Sequence, residues 1–343
     1  MDILQDPFGR RIDYARLSLT DRCNLHCQYC RPALTADRQS DEASCVRDER
    51  SAPQTSLCDL LSVAQWQRLI EALAALGIRK LKLTGGEPLL YPGFTEVLRI
   101  SKATSGIEQV TLTTNGLYLQ SFLPLCEEVG IDGINISLDA LDDGLYQQIT
   151  GRSGAGQVLS AIHDSVARGL TTKVNAVIIP GVNESQILPL AALAEKLPIA
   201  VRFIEMMPLG EGGRYGRISG GEIRRRLEAV YPNWQTDTNT WGNGPATYRK
   251  AVGMQGSIGF IDPVSHAFCD RCNRIRIQSN GDLQLCLVRD QATSLRPLLT
   301  AEDPNELKQT IATAIRQKPA AHDFQNTDRQ QPSKHREMWQ IGG

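Results

Sequence analysis

Between residues 15 and 206, short runs rich in Val, Ile, Leu and Thr alternate with longer amphipathic stretches, and this alternation limits the possible folds more than any other feature. The runs are Ala15–Leu19, Lys80–Thr84, Val110–Thr113, Gly133–Leu138, Lys173–Ile178 and Ala200–Glu205, and several close on a Gly, Asn or Asp turn. Ser62–Leu76 carries Val63, Trp66, Leu69, Ile70, Leu73 and Leu76 at helical spacing, with Ser62 as N-cap and Gly77 as stop. Gln157–Arg168 and Glu184–Leu197 repeat the helical pattern. Such β–α units build a parallel sheet with right-handed crossovers. Six units fall short of the eight that close a barrel. The expected fold is therefore α/β, a partial (β/α)6 TIM-like barrel over residues 1–209, with its chemistry beyond the C-terminal ends of the strands.

Past residue 207 the rhythm stops. Leu209–Gly221 is Gly-rich and reads as a linker, a short helix is expected over Gly220–Val230, and another near Pro304–Arg316. Residues 210–343 are expected to form a smaller C-terminal domain. The stretch 31–59 is polar, rich in Ser, Asp, Arg and Pro, and without apolar period; it reads as a flexible insertion.

Composition excludes several classes. With 41% hydrophobic and 22% charged residues the 343-residue chain can bury a sizeable core. Lys and Arg total 37 against 38 Asp and Glu, so no global field points to nucleic acid or a membrane surface. The first residues lack the basic and apolar regions of a signal peptide, and no run approaches the ~18 apolar residues of a membrane span. A reducing cytoplasm is the expected compartment. Nine cysteines, an odd number, argue against a disulfide framework there. They fall into two triplets, Cys23, Cys27, Cys30 and Cys269, Cys272, Cys286, with Cys45, Cys58 and Cys126 scattered between.

Cys23-x3-Cys27-x2-Cys30 directly follows the first strand. Three thiolates on one short loop suit a soft metal centre. A [4Fe–4S] cube takes four cysteines when fully protein-ligated, so three leave one iron open to an exogenous ligand. A zinc knuckle completed by His26 is the alternative. Thr84-Gly85-Gly86-Glu87-Pro88 closes the second strand, where the glycines permit close backbone approach and Glu87 can accept from an ammonium group. Thr113-Thr114-Asn115-Gly116 and Asn135-Ile136-Ser137-Leu138-Asp139 put further polar groups at strand ends. With Tyr29 before the last cysteine, this set resembles the radical SAM superfamily.

The second triplet, Cys269-x2-Cys272-x13-Cys286, is again three, and admits a second open cluster or zinc with His266 as fourth ligand. Alternation on a strand puts Arg274 and Arg276 on one face beside it. Arg16, Lys82, Lys173 and Arg202 also lie on strands. Such cations are costly inside a barrel unless paired, and a nucleoside triphosphate, with about four negative charges, would pair them.

These residues, with Arg202-Phe203-Ile204-Glu205-Met206-Met207 and the closing Gly342-Gly343, resemble the GTP 3′,8-cyclase family of molybdenum cofactor biosynthesis over nearly the whole chain. The resemblance implies two [4Fe–4S] clusters, held by Cys23, Cys27, Cys30 and by Cys269, Cys272, Cys286. It implies S-adenosyl-L-methionine (SAM) contacts at Tyr29, Gly86, Ser137 and Met207. GTP contacts are implied at Arg16, Lys82, Thr113, Lys173, Arg202, Arg274, Ile275 and Arg276, with catalytic roles for Arg274 and Arg276 and a required Gly-Gly tail. The implied reaction is abstraction of the ribose C3′ hydrogen by a 5′-deoxyadenosyl radical, attack of C3′ on C8 of guanine, and reduction. Implied partners are GTP, an electron donor of flavodoxin or ferredoxin type and cyclic pyranopterin monophosphate synthase as the next enzyme, with no nucleic acid and no membrane; a homodimer is compatible. Two features depart from the family: Lys82 stands where arginine is frequent, which removes bidentate geometry, and the 31–59 insertion is long. A peptide-modifying radical SAM maturase and a non-catalytic zinc-binding module are the competing readings.

Overall fold

The structure, a computed structural model, describes residues 4–30, 60–239, 241–289, 291–322, 324 and 338. The 31–59 insertion with Cys45 and Cys58, and the Gly342-Gly343 tail, lie outside the described residues.

The strands, in chain order, are β1 (Tyr14–Ser18), β2 (Lys80–Thr84), β3 (Gln109–Thr114), β4 (Gly133–Ser137), β5 (Thr172–Val177), β6 (Ala200–Ile204), β7 (Gln235–Thr236), β8 (Thr247–Lys250), β9 (Ser257–Ile261), β10 (Arg274–Ile277), β11 (Asp282–Gln284) and β12 (Ala292–Ser294). The helices are α1 (Val63–Ala75), α2 (Phe94–Ala103), α3 (Leu119–Glu128), α4 (Asp143–Thr150), α5 (Ala155–Ala167), α6 (Ile187–Lys196), α7 (Gly220–Glu228) and α8 (Pro304–Ile315). Each of the six expected strands is present, its ends displaced by one residue at most. α1 starts with a capping box: Ser62 Oγ accepts from Gln65 N at 3.3 Å while Ser62 N donates to Gln65 Oε1 at 2.9 Å. Its inner face buries Trp66, Leu69, Ile70 and Leu73.

The chain divides into two compact units. The first comprises residues 1–110, 270–322 and 333–343. Its strands run in the order β12-β11-β10-β1-β2, with β1 parallel to both β2 and β10. The second comprises residues 111–269 and 323–332. Its strands run β3-β4-β5-β6-β9-β8-β7, parallel as far as β9 and antiparallel beyond.

Among the described residues, strands past 209 extend the ladders of earlier strands. β9 continues the ladder of β6 (Ala200 opposite Ser257 through Ile204 opposite Ile261), and β10 continues that of β1. The division at 209/210 marks where β–α repeats end in sequence, but hydrogen bonding crosses it. A strand edge exposes unpaired N–H and C=O groups, and the later strands satisfy them.

Register sorts the side chains of each unit. In the first, Ala15, Leu17, Leu81, Leu83, Ile275, Ile277 and Leu283 are buried on one face. In the second, Leu112, Ile134, Ile136, Val174, Ala176, Val201, Phe203 and Ile258 do the same. Each large aliphatic side chain buried this way contributes about 1.5–3 kcal/mol. The opposite faces carry the polar residues.

Candidate active site

The first cysteine triplet sits on the loop that leaves β1. Its entry is tied to the Gly-Gly-Glu-Pro turn after β2: Gly86 N donates to Thr20 O and Glu87 N to Arg22 O, both at 2.7 Å. A Cβ on Gly85 would lie 2.5 Å from Thr20 O, and one on Gly86 2.7 Å from Asp21 O, so only glycine allows the two loops to touch. Glu87 is fully buried, and its carboxylate accepts from Leu89 N at 3.1 Å, capping a 3₁₀ turn (Pro88–Leu90). Cys23, Cys27, Tyr29 and Cys30 are half-buried, and Cys30 N donates to Cys27 O at 2.9 Å.

On the polar face of the first unit Arg16 lies opposite Lys82 on one side and Arg276 on the other, while Tyr14 lies opposite Lys80 and Arg274. Directly paired residues share a face, so four cations expected at the site, Arg16, Lys82, Arg274 and Arg276, form one patch. Lys80 is neutralised by Asp13 at 3.0 Å. Arg276 is buried; burial, reinforced by the like charges of Arg16 and Arg274, pushes its pKa well down, while Cys286 pulls it up. Ile275 does not join the patch. It is fully buried opposite Ala15, because alternation turns its side chain to the apolar face; only its backbone remains beside the arginines. A contact made by Ile275 within the Arg274–Arg276 segment would therefore come from its backbone.

Two cysteines of the second triplet, Cys272 and Cys286, adjoin this patch. Cys269 opens a 3₁₀ turn (Cys269–Arg271), Cys272 precedes β10 and Cys286 follows β11. Burial alone would raise the Cys272 thiol, but Lys318, the Arg274 backbone N–H and the charges of Arg274 and Arg10 outweigh it and hold the thiol below its ordinary range. Cys126, in α3, is the contrast: burial pushes it up to about 12.

The polar face of the second unit carries a second row. Thr113, Asn135 and Lys173 are consecutive partners across β3, β4 and β5, and Ser137, Asn175, Arg202 and Gly259 across β4, β5, β6 and β9. Asn135 Nδ2 donates to Thr113 Oγ1 at 3.1 Å, and Arg202 Nη2 donates to Asn135 Oδ1 at 2.6 Å. Arg202 also donates to the Tyr248 hydroxyl. Gly259 makes room for this pair: a Cβ there would lie 2.7 Å from Tyr248 Cε1 and 2.8 Å from Arg202 Cγ. Lys173 Nζ donates to Trp241 O at 2.5 Å. Burial, and after it the Arg202 charge, pushes the Lys173 pKa down to about 8. Asn175 Oδ1 and Arg202 Nε are buried without a hydrogen-bond partner, as a polar ligand on this face would require. Met207 is half-buried just past β6. Thr114 and Asn115 serve the turn, accepting from Gly116 N and Leu117 N at 3.1 Å each.

Three thiolates in each triplet suit an iron–sulfur cube with one open iron. Among the described residues no three His, Cys, Asp or Glu side chains converge on a point fit for one metal ion. Zinc needs four donors on a single centre, and His266, proposed as a fourth, is 78% exposed with Asp262 4.0 Å away. A four-iron cube gives each thiolate its own iron, so three cysteines spaced around a loop fit it. Residues that the sequence did not bring forward are Lys318, Arg10, Tyr248 and Trp241.

Residues 17–194 match the radical SAM superfamily, and 199–324 match Molybdenum Cofactor Synthesis C. The chain is 38% identical to a GTP 3′,8-cyclase of Moorella thermoacetica over 99% of its own length and 100% of the relative's. It is 38% identical to one from Rhodopseudomonas palustris (99% and 96%) and 36% identical to one from Alkaliphilus oremlandii (99% and 100%). Among solved structures, Streptococcus suis SuiB bound to S-adenosylmethionine superposes with TM-score 0.62 at 15% identity, over 96% of this chain and 77% of that one. That likeness concerns the fold. Among the described residues no helix is long and apolar enough to cross a membrane.

Proposed function

The chain belongs to the GTP 3′,8-cyclase family of the radical SAM superfamily, and from that premise we propose how its residues divide the work. The reaction is conversion of GTP to (8S)-3′,8-cyclo-7,8-dihydroguanosine 5′-triphosphate, the first step of molybdenum cofactor biosynthesis, with SAM and iron–sulfur clusters as cofactors. When bound, a reduced cluster and SAM supply the 5′-deoxyadenosyl radical that removes the ribose C3′ hydrogen.

Cys23, Cys27 and Cys30 hold the SAM-binding cluster, and Cys269, Cys272 and Cys286 hold the second. Gly86 and Tyr29 border the SAM methionine, with Ser137 and Met207 as further contacts. Glu87, whose carboxylate caps Leu89 N, accepts from the SAM ammonium. Arg16, Lys82, Arg274 and Arg276 receive the triphosphate in one unit; Lys173, Arg202 and Thr113 supply the polar row of the other. Charge-assisted contacts from guanidinium groups fix the ribose for attack more tightly than lysine alone would. Arg274 and Arg276 stabilise the negative charge that develops in the closing reduction. The observation that carries this reading is the register of β1, which sets Arg16 between Lys82 and Arg276 with the Cys286 thiol acting on the same guanidinium.

We further assign the protein to the cytoplasm, supported by an odd number of cysteines, six of them in two triplets that read as cluster ligands rather than as a disulfide framework. Its electrons come from a flavodoxin- or ferredoxin-type donor, and its product passes to cyclic pyranopterin monophosphate synthase. Anaerobically reconstituted protein is expected to hold about eight iron per chain, as two four-iron clusters require, and to cleave SAM only when GTP is present. Cleavage indifferent to GTP contradicts the substrate assignment.

A further inference from the structure

Lys318 lies just past α8 and is 3% exposed. Its Nζ donates to Arg274 O at 2.9 Å and to Leu285 O, and it also reaches the Cys272 sulfur. Arg274 is two residues beyond Cys272, and Leu285 immediately precedes Cys286. One ammonium, with its three donors, therefore ties together both stretches of backbone that present these thiols. The segment after it is held in turn by Arg10, whose Nη1 donates to Ala320 O at 2.8 Å and Nη2 to Pro319 O at 2.6 Å. Arg10 is itself anchored by Asp6, Nε to Oδ2 at 2.5 Å.

Bridging two carbonyls needs only a neutral donor such as a glutamine amide. A buried ammonium is costly unless it is fully bonded and faced by electron-rich groups, and here its two carbonyl bonds are accompanied by the Cys272 sulfur. We propose that Lys318 is a positioning residue for the second cluster, fixing the spacing of the Cys272 and Cys286 backbones and setting its ammonium against the sulfurs that ligate it. The proposal rests on the reading of these cysteines as cluster ligands.

The test uses the full chain with the first triplet removed (C23S/C27S/C30S), so that any cluster present is the second. Lys318→Met and Lys318→Arg are compared with this parent for midpoint potential, and for the alkylation rate of Cys272 by iodoacetamide in the iron-free protein. K318M is expected to shift the potential negative, since a charge favouring the reduced cluster is gone. It should also slow Cys272 alkylation about threefold or more as the thiolate loses its counter-charge. K318R should restore the potential towards the parent value. Parent-like values of both quantities in K318M overturn the proposal, as does an equal shift in K318M and K318R, which reduces Lys318 to packing. If the parent binds no iron, the cluster reading itself fails; Cys272 alkylation then decides the lysine–thiol pairing alone, unchanged rates overturning it.

Discussion

The two polar faces hold their cations in different ways. In the first unit Arg16, Lys82 and Arg276 stand side by side in register, with Arg274 two residues from Arg276, and burial, followed by like charge, depresses Arg276. In the second unit the two buried cations have neutral partners: Lys173 has the Trp241 carbonyl, and Arg202 has Asn135 and Tyr248. A crowded patch gains most when an anion arrives, whereas a row already bonded to neutral oxygens gains less and serves orientation.

That contrast can be broken by substitution. Arg276→Met should weaken GTP binding roughly a hundredfold, from the ~3 kcal/mol lost when a buried charge pair loses one member. Arg202→Met should weaken it about tenfold, near the ~1.5 kcal/mol of one charged hydrogen bond. Calorimetric titration with GTP measures both, and equal losses would erase the distinction. The ligand-free proteins should move oppositely in urea unfolding. R276M relieves like-charge crowding and gains about 1 kcal/mol, while R202M strands Asn135 and loses about 1–2 kcal/mol.

Lys173 sharpens the comparison through pH. Its folded pKa of about 8 lies below the ordinary 10.5, so the unfolded chain binds more protons between those values and folding stability rises with pH there. Phosphate binding runs the other way, because it needs the ammonium. GTP affinity should fall as pH rises through 8, and Lys173→Met should flatten that part of the profile. The smallest effect lies away from both faces: Ser62→Ala removes the α1 capping box, costs ~1 kcal/mol in thermal unfolding and leaves GTP affinity unchanged.

The β–α core was legible because its signal is local. Apolar runs, an N-cap at Ser62 and turns after strands each predict one element, and the six strands fall where expected. α2 and α4 are short, and α3 contains Pro124, so their periodicity was weaker. The pairing of β9 with β6 and β10 with β1 was not legible, since partner choice depends on edges far apart in sequence. At the site, the cysteines and the Arg274/Arg276 alternation were plain from spacing. Ile275 belongs to the same segment, but the same alternation turns its side chain to the apolar face and leaves its backbone beside the arginines. Lys318 and Tyr248 gave no signal: a lone lysine after a helix and a tyrosine in Thr-Tyr-Arg-Lys acquire meaning only from what the fold sets beside them.

The most direct test of the central claim is anaerobic turnover with SAM, a reductant and GTP deuterated at C3′. Deuterium in the 5′-deoxyadenosine, together with a 3′,8-linked nucleotide, is the predicted result. Deuterium-free 5′-deoxyadenosine, with GTP recovered unchanged, would contradict it.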